Sequence, residues 1–210
     1  ELCSNAVDSQ GEKERAVEIL SGKATPDKYF VKRSGDLYSD SNWDPGYYSL
    51  DHLDLEHNDV ELIYREGEGG GRCDTFVVRD YGVGIGSTRL EGALQVGYST
   101  KRNRKDALGA FGLGAKVGIA TGADYYTITS VYNGVKHIVR VYRRKVNSMI
   151  GKLNLVTEEM NVPYTFSNGE VIYGETTTER NYTEISVPVL RHHKDSYIRG
   201  VETQLLYFKN

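Results

Sequence analysis

The two ends of the chain carry the composition and apolar spacing of helices. Residues 1–20 are rich in good helix formers and are followed by Gly22 and Pro26, which are typical of a helix end. Residues 194–208 repeat large apolar side chains every three or four positions, at Tyr197, Val201, Leu205 and Phe208. The pattern therefore predicts one helix at each end of the chain.

Between these helices, alternating apolar and polar positions predict strands. Six segments show this alternation or the β-branched and aromatic content of strands: 60–65, 75–79, 126–132, 136–143, 153–157 and 183–189. Asn133-Gly134 separates two of them and indicates a tight hairpin turn. Short helical patterns occur near 89–94 and 113–120, within a glycine-punctuated region. This order of elements predicts a two-layer α+β sandwich.

Residues 24–58 differ in composition from the rest of the chain. They are rich in Tyr, Asp, Ser and Gly and contain Pro26 and Pro45. They lack the apolar periodicity that a core of their own would need, so we predict an irregular insertion within a single domain over residues 1–210. The chain is 39% hydrophobic, which is enough apolar mass for a folded domain.

Charge and cysteine content narrow the classes of function. The 26 basic and 29 acidic residues give a net charge of −3, which argues against a domain devoted to electrostatic capture of nucleic acid or acidic membranes. No run approaches the roughly 18–20 apolar residues that a membrane span requires. Cys3 and Cys73 form neither a disulfide framework nor zinc-ligand spacing, which favours a reducing, cytoplasmic compartment. Because the chain begins with Glu1 rather than Met, we expect a fragment of a longer protein.

Three oxygen-bearing side chains share one stripe of the first predicted helix. Glu1, Asn5 and Asp8 are separated by four and three positions, which places them on one helical face. Seen alone, such residues more often form a solvated face than a functional site. The stripe indicates a functional site only when it is combined with two glycine motifs further along the chain.

The first glycine motif, Asp80-Tyr81-Gly82-Val83-Gly84, follows a predicted strand. Glycines after a strand-end carboxylate let the backbone approach a planar ligand closely while the carboxylate accepts a hydrogen bond. An ordinary turn that contains Asp is the alternative interpretation.

The second glycine motif, GAFGLGAK at 109–116, leads into a predicted helix. Closely spaced glycines at a helix start expose backbone N–H groups, and the helix dipole favours an anion there. The motif does not end in the Gly-Lys-Ser/Thr of a Walker loop. It also lacks the βαβ setting and the following acidic residue of a Rossmann motif.

In this order, the three features resemble the ATP-binding domain shared by gyrase B, the ninety-kilodalton heat-shock chaperones, sensor histidine kinases and MutL, the GHKL or Bergerat family. That family carries Glu-x-x-x-Asn-x-x-Asp on its first helix, then an Asp-x-Gly-x-Gly box and a glycine box on the phosphate side. Its fourth element, Gly-Thr in a late strand, matches Thr183, but Tyr182 stands where the family has Gly. Within the family, GYSTK at 97–101, the second glycine motif and TITSVYNGVKH at 127–137 resemble bacteriophage rIIA-like proteins.

The resemblance implies a role for each matched residue. Asp80 and Thr183 would recognise adenine beside Gly82 and Gly84, and Asn5 would place its amide oxygen on Mg²⁺. Glu1 would be the catalytic general base, and Asp8 would hold the polar network of the site. The phosphates would be bound by residues in and near the second glycine motif: Lys101, Gly109, Phe111, Gly112, Leu113, Gly114 and Lys116. For the two lysines, a solvated position is the alternative.

The resemblance also implies a fold and a function. The sheet would be mixed but mainly antiparallel with helices on one face, and residues 86–111 would form a lid over ATP. The domain would bind ATP or ADP with Mg²⁺, hydrolyse ATP slowly as an ATPase, and act as a conformational switch that dimerises or signals to a downstream domain. Slow turnover is expected because the family commonly completes its γ-phosphate site with a Lys or Arg from a following domain.

Other functions remain open from the sequence alone. The chain could be a non-hydrolysing ATP-binding scaffold, or the ATPase part of a topoisomerase, a mismatch-repair protein or a kinase. Its charge gives no indication of nucleic-acid binding. A phage-encoded protein of this kind would act in the cytoplasm of the host bacterium.

Overall fold

The structure is a computed structural model that describes residues 2–29, 45–67, 73–87, 89–90, 125–142, 155–157, 162–165, 171–191 and 194–207. Two α-helices are described over their length, α1 at Leu2–Leu20 and α2 at Lys194–Tyr207, close to both predicted helices. Residues 87 and 89–90 are also helical. Single 3₁₀ turns lie at Pro26–Lys28 and Pro45–Tyr47, in the predicted insertion. Neither described α-helix is apolar enough over a sufficient length to cross a membrane.

Eight strands in the described residues form one sheet. They are β1 Val60–Arg65, β2 Cys73–Asp80, β3 Tyr125–Tyr132, β4 Val135–Tyr142, β5 Leu155–Thr157, β6 Val162–Thr165, β7 Val171–Thr176 and β8 Tyr182–Leu190. The order across the sheet is β1-β2-β8-β3-β4-β7-β6, with β5 also paired to β4. Every pairing between these strands is antiparallel. With α1 packed on it, the sheet confirms the prediction of a two-layer α+β sandwich with helices on one face.

The six predicted strands are all present, and the structure adds two that the sequence pattern missed. β6 contains Pro163 and β7 contains Gly174, and both residue types weaken a strand signal. Proline is tolerated there because β6 ends the described strand order, and an edge strand has a free hydrogen-bonding side. β2 is also longer than predicted, since it begins at Cys73 and includes Asp80.

The predicted hairpin turn at Asn133-Gly134 is confirmed. Both residues have positive φ, +47° and +79°, as a two-residue turn between twisted antiparallel strands requires. The turn fixes the pairing of β3 with β4, in which Tyr132 lies opposite Val135 and Ser130 opposite His137.

Helix α1 covers one face of the sheet, which we call the inner face. Cys3 and Ala6 of α1 are buried in a cluster with Val78 of β2, and Phe76 packs against the same cluster. Burial raises the pKa of the Cys3 thiol, in keeping with a small apolar role for this residue. Because side chains alternate along a strand, Asp80 lies on the same inner face as Phe76 and Val78.

Candidate functional site

The segment after β2, residues 81–86, is packed directly against α1, and we call it the glycine loop. A Cβ atom on Gly82 would lie 2.0 Å from the Oγ atom of Ser9 and 2.8 Å from its backbone carbon. No side chain fits in that space without displacing α1. Gly82 is therefore required for contact between the glycine loop and the helix that carries Asn5 and Asp8.

Gly84 and Gly86 allow the same loop to approach the β3–β4 hairpin. Gly84 has φ +72°, and a Cβ atom there would lie 2.1 Å from the carbonyl oxygen of Val131. A Cβ atom on Gly86 would lie 2.8 Å from the ring of Tyr132. The glycine loop is therefore held between α1 and the hairpin, with its backbone close to both.

Asp80 ends β2 at the entrance to this loop. Its side chain is buried, and its Oδ1 atom accepts a hydrogen bond from the backbone N–H of Gly82 at 3.0 Å. In the pairing of β2 with β8, Asp80 lies directly opposite Thr183. The Oγ1 atom of Thr183 is buried and has no hydrogen-bond partner among the described residues. A buried hydroxyl without a partner carries a desolvation cost that a bound ligand or water would relieve.

Thr183 and Asp80 belong to a row of polar side chains across the inner face. Successive cross-strand partners are Asp80 on β2, Thr183 on β8, Ser130 on β3 and His137 on β4. Directly opposite residues of antiparallel strands share a face, so these four side chains lie side by side, and all four are buried. Ser130 Oγ accepts the N–H of Ile85 at 2.7 Å and thereby ties the row to the glycine loop.

His137 ends the described polar row on β4. Its Nδ1 atom is buried and lacks a partner in the described part of the chain, and burial lowers the pKa of its imidazole. A Cβ atom on the opposing Gly174 would lie 3.1 Å from Nε2 of His137, so glycine leaves room for the ring. The row thus contains two buried polar atoms without a described partner, one beside Asp80 and one two strands away.

The pair next to Asp80 and Thr183 fixes their register from the opposite face of the sheet. Arg79 and Glu184 are direct cross-strand partners, and Nε of Arg79 donates to Oε2 of Glu184 at 3.0 Å. A one-residue slip would break this ion pair and would move Asp80 or Thr183 to the wrong face. The ion pair therefore supports the alignment that the site requires.

Asn181 links the glycine loop to the β3–β4 turn. Its side chain is 1% exposed. Its Nδ2 atom donates to the carbonyl of Val83 at 2.9 Å, and its Oδ1 atom accepts the N–H of Asn133 at 2.8 Å. One buried amide therefore holds the loop and the turn together just before β8 begins at Tyr182.

On α1, Asp8 is buried and Asn5 is partly buried. The stripe that they share continues to Glu12, which is four positions beyond Asp8. Glu12 accepts a hydrogen bond from Nη1 of Arg89 at 2.7 Å, and Arg89 follows the glycine loop closely in the chain. This ion pair is a second link between α1 and the region of the first glycine motif.

Several predicted site residues come together, and others lie outside the described residues. The structure joins α1, which bears Asn5 and Asp8, to the loop of Asp80, Gly82 and Gly84, and places Thr183 opposite Asp80. Of the predicted lid over 86–111, only Gly86, Ser87, Arg89 and Leu90 are described. The predicted site residues that lie outside the described ranges are Glu1, Lys101, Gly109, Phe111, Gly112, Leu113, Gly114 and Lys116.

The supporting residues Ser130, Asn181 and Arg89 were not predicted from the sequence. Asn181 stands two residues before Thr183, and its position next to that motif was the one available signal. Ser130 and Arg89 become recognisable only through strand register and side-chain contacts. Asn5 is the predicted Mg²⁺ ligand. In the described ranges, no three or more His, Cys, Asp or Glu side chains form a cluster that could hold a metal ion.

Comparison with known proteins agrees with this geometry. Residues 1–164 match the family model described as Histidine kinase-, DNA gyrase B-, and HSP90-like ATPase. The chain matches no curated protein. The matched region is well over half of the 210 residues and includes α1, the glycine loop and the β3–β4 hairpin. The chain therefore belongs to the histidine kinase-, DNA gyrase B- and HSP90-like ATPase family.

Proposed function

We propose that this domain binds ATP between α1, the glycine loop and β8, and hydrolyses it slowly with Mg²⁺. Family membership supports ATP binding in general terms. The observation that carries the specific proposal is the pairing of Asp80 with Thr183, whose buried hydroxyl has no partner among the described residues. A polar ligand at this position would satisfy that hydroxyl.

Asp80 and Thr183 suit recognition of an adenine base. A carboxylate accepts a hydrogen bond from the exocyclic amino group of adenine, whereas guanine presents a carbonyl oxygen at the equivalent position. Two acceptors facing each other repel, so Asp80 would select against guanine. The hydroxyl of Thr183 can donate or accept, and it can therefore reach the base directly or through a water molecule.

Asn5 is the residue of α1 that we assign to Mg²⁺. Mg²⁺ prefers oxygen ligands and is usually held by one or two protein groups together with phosphate oxygens and water. One amide oxygen on α1 is consistent with that pattern, since nucleotide phosphates supply the remaining charge. We assign phosphate contacts to Lys101, Lys116 and the second glycine motif, as implied by the family resemblance.

Hydrolysis is assigned to Glu1, with Asp8 holding the polar network around it. The Glu1 carboxylate would take a proton from a water molecule while the water oxygen bonds to the γ-phosphorus. The bond between the γ-phosphorus and its bridging oxygen would break, which gives ADP and inorganic phosphate. General-base assistance of this type contributes roughly 10²–10⁴-fold to a rate.

The family resemblance supports the remaining parts of the proposal. These are an ATP-driven switch that pairs two copies of the domain or acts on a downstream domain, an rIIA-like subtype, and action in the cytoplasm of a bacterial host. Light scattering with and without a non-hydrolysable ATP analogue tests the pairing. A mass that stays monomeric in both conditions would contradict it.

Calorimetric titration with ATP, ADP and GTP, with and without Mg²⁺, tests the proposed function. We expect saturable binding that favours adenine over guanine and is strengthened by Mg²⁺ for ATP. Absence of adenine-nucleotide binding by the folded protein would contradict the proposal. Phosphate release by the wild type and Glu1→Gln then separates an ATPase from a non-hydrolysing scaffold, since only the ATPase loses turnover while binding is retained.

A further inference from the structure

Residues 45–59, which we call the 45–59 segment, fill the space between α1 and the glycine loop. Tyr48 and Leu53 of this segment are buried in one cluster with Ala16 of α1 and Val83 of the glycine loop. The segment is therefore part of the hydrophobic core that supports the proposed site, although its sequence predicted an irregular insertion.

The hydroxyl of Tyr47 forms hydrogen bonds with two glycines of the glycine loop. Its hydroxyl accepts the backbone N–H of Gly86 at 2.7 Å and donates to the carbonyl of Gly84 at 3.4 Å. Its backbone carbonyl accepts the hydroxyl of Tyr132, and its ring lies 4.4 Å from the ring of Tyr132. One residue thus connects both ends of the Gly84–Gly86 backbone to the β3–β4 hairpin.

The guanidinium group of Arg89 also packs on the ring of Tyr47. The central carbon of the Arg89 guanidinium lies 3.5 Å from the centre of the Tyr47 ring. The same guanidinium forms an ion pair with Glu12 of α1. The cation that contacts the ring is therefore itself fixed by the helix. Burial raises the pKa of the Tyr47 hydroxyl, which therefore stays protonated and able to donate.

The other end of the 45–59 segment holds the beginning of the loop. The ring of His57 stacks on the ring of Tyr81 at a centroid distance of 4.8 Å. The backbone N–H of Asn181 donates to the carbonyl of His52 at 2.8 Å, and the side chain of Asn181 binds the loop at Val83. The segment thus contacts the loop at its first residue and at its last.

Lys13 fastens the segment to α1. Its side chain is 2% exposed, and its Nζ atom donates to the carbonyls of Asp54 at 2.8 Å and His57 at 2.5 Å. Burial lowers the pKa of Lys13, and the nearby charges of Asp54, Asp80 and Glu14 oppose that shift. A buried ammonium is costly unless such partners replace its water, so the segment is seated firmly on the helix.

We propose that the 45–59 segment presets the glycine loop for nucleotide, and that Tyr47 is the positioning residue that does so. This inference rests on the proposed function. Glycines give the loop many alternative conformations, and the Tyr47 hydroxyl selects one by holding Gly84 and Gly86. A ligand that needs this conformation binds more weakly in proportion to the fraction of molecules that leave it.

The substitutions Tyr47→Phe and Tyr64→Phe form a matched pair for the test. Both remove one hydroxyl from a partly buried ring, but the hydroxyl of Tyr64 donates to Asp74 near the other end of β2 and not to the loop. Two quantities are measured for each variant: hydrogen exchange of the Gly86 amide by NMR without ligand, and ATP affinity by calorimetry.

We expect Tyr47→Phe to raise Gly86 exchange and to weaken ATP binding by a similar factor. One net hydrogen bond corresponds to about a fivefold change in each quantity. Tyr64→Phe should leave both quantities within about twofold of the wild type, because the acceptor of the Gly86 N–H is intact. Saturating ATP should slow Gly86 exchange in the wild type.

Two results would overturn the inference. Faster Gly86 exchange in Tyr47→Phe with unchanged ATP affinity would mean that the held loop conformation does not matter for nucleotide. Equal losses of affinity in both tyrosine variants would mean that general packing, and not the loop hydrogen bonds, is responsible. Failure of the wild type to bind ATP would instead contradict the proposed function, and the exchange measurement without ligand would still report whether Tyr47 holds the loop.

Discussion

Two aspartates on the inner face of β2 differ in what their surroundings provide. Asp74, near the start of the strand, is 1% exposed and accepts three hydrogen bonds. The donors are the hydroxyl of Tyr64 at 2.6 Å, the N–H of Gly67 at 2.8 Å and Nε of Arg191 at 3.0 Å. These contacts, led by Tyr64, lower the pKa of Asp74 to about 2. Its cross-strand partner is the apolar Val189, and the three hydrogen bonds satisfy this carboxylate within the protein.

Asp80, at the end of the same strand, has a different neighbourhood. It accepts the N–H of Gly82 and stands opposite Thr183, whose hydroxyl has no partner in the described ranges. It also leads into a loop whose glycines leave no room for side chains. Residue type and burial are therefore alike at the two ends of β2. The ligand role that we propose for Asp80 depends on its neighbour Thr183, whose hydroxyl is not satisfied within the described part of the chain.

The largest expected effect is loss of nucleotide binding in Asp80→Ala. A hydrogen bond to a charged group contributes about 1.5–3 kcal/mol, so the affinity for ATP should fall by roughly 10- to 150-fold. Asp80→Asn keeps a carbonyl acceptor and should bind with intermediate affinity. Calorimetry at neutral pH measures both. An Asp80→Ala variant that binds ATP like the wild type would remove Asp80 from the site.

Asp74→Asn should lower the free energy of unfolding at pH 7 and leave nucleotide affinity within about twofold of the wild type. The folded pKa of Asp74, about 2, is below its ordinary value of 3.8. The carboxylate therefore stabilises the fold above about pH 4, and this contribution is lost as the pH falls from 4 towards 2. Urea unfolding at pH 7 and pH 3 should show a stability gap between wild type and variant that narrows at pH 3. A constant gap would contradict the assignment of Asp74 as an ionised structural group.

Thr183→Val should weaken ATP binding less than Asp80→Ala does, and it should not lower the free energy of unfolding. Valine has nearly the same shape as threonine and removes a buried hydroxyl that has no described partner, so the free energy of unfolding should stay equal or rise by up to about 1 kcal/mol. ATP affinity should fall about fivefold, because one hydrogen bond to the ligand is lost. Thr183→Ser keeps the hydroxyl and should retain affinity. A variant that loses both stability and affinity would show that Thr183 acts through packing.

The sequence predicted the inner-face architecture well because the signals were local. The Asn133-Gly134 turn, the apolar and β-branched content of β1 and the Asp80-Gly82-Gly84 spacing each depend on neighbouring residues, and the structure contains the corresponding elements. The strands β6 and β7 were missed because Pro163 and Gly174 weaken the local pattern, while their pairing with distant strands supplies the stabilisation.

The supporting contacts of the site could not be predicted in the same way. Tyr47 and Gly86 are 39 positions apart, and Arg89 and Glu12 are 77 positions apart. No periodicity joins such residues, because their proximity follows from how the 45–59 segment and the glycine loop pack on α1. The irregular composition of that segment indicated an insertion, but its buried side chains are part of the support of the site.

The smallest expected effect concerns His137, the second residue of the polar row with a buried atom that has no partner among the described residues. Burial lowers its folded pKa below the ordinary value of 6.5, so its neutral form contributes stability that is present above pH 6.5. Stability should fall as the pH drops below about 6.5, because the unfolded chain binds the proton more readily. His137→Gln should flatten this slope in urea unfolding measured between pH 7.5 and pH 5, a range in which Asp74 stays ionised.

The same measurement with saturating ATP determines how far the ligand site extends along the row. His137 is two strands away from Thr183, about 10 Å at the usual strand spacing, and Ser130 lies between them. A ligand held by Asp80 and Thr183 would therefore raise stability without changing the difference in slope between the wild type and His137→Gln. A difference that disappears when ATP is bound would place His137 inside the nucleotide site, and the contrast between the two ends of β2 would then apply to a larger part of the inner face.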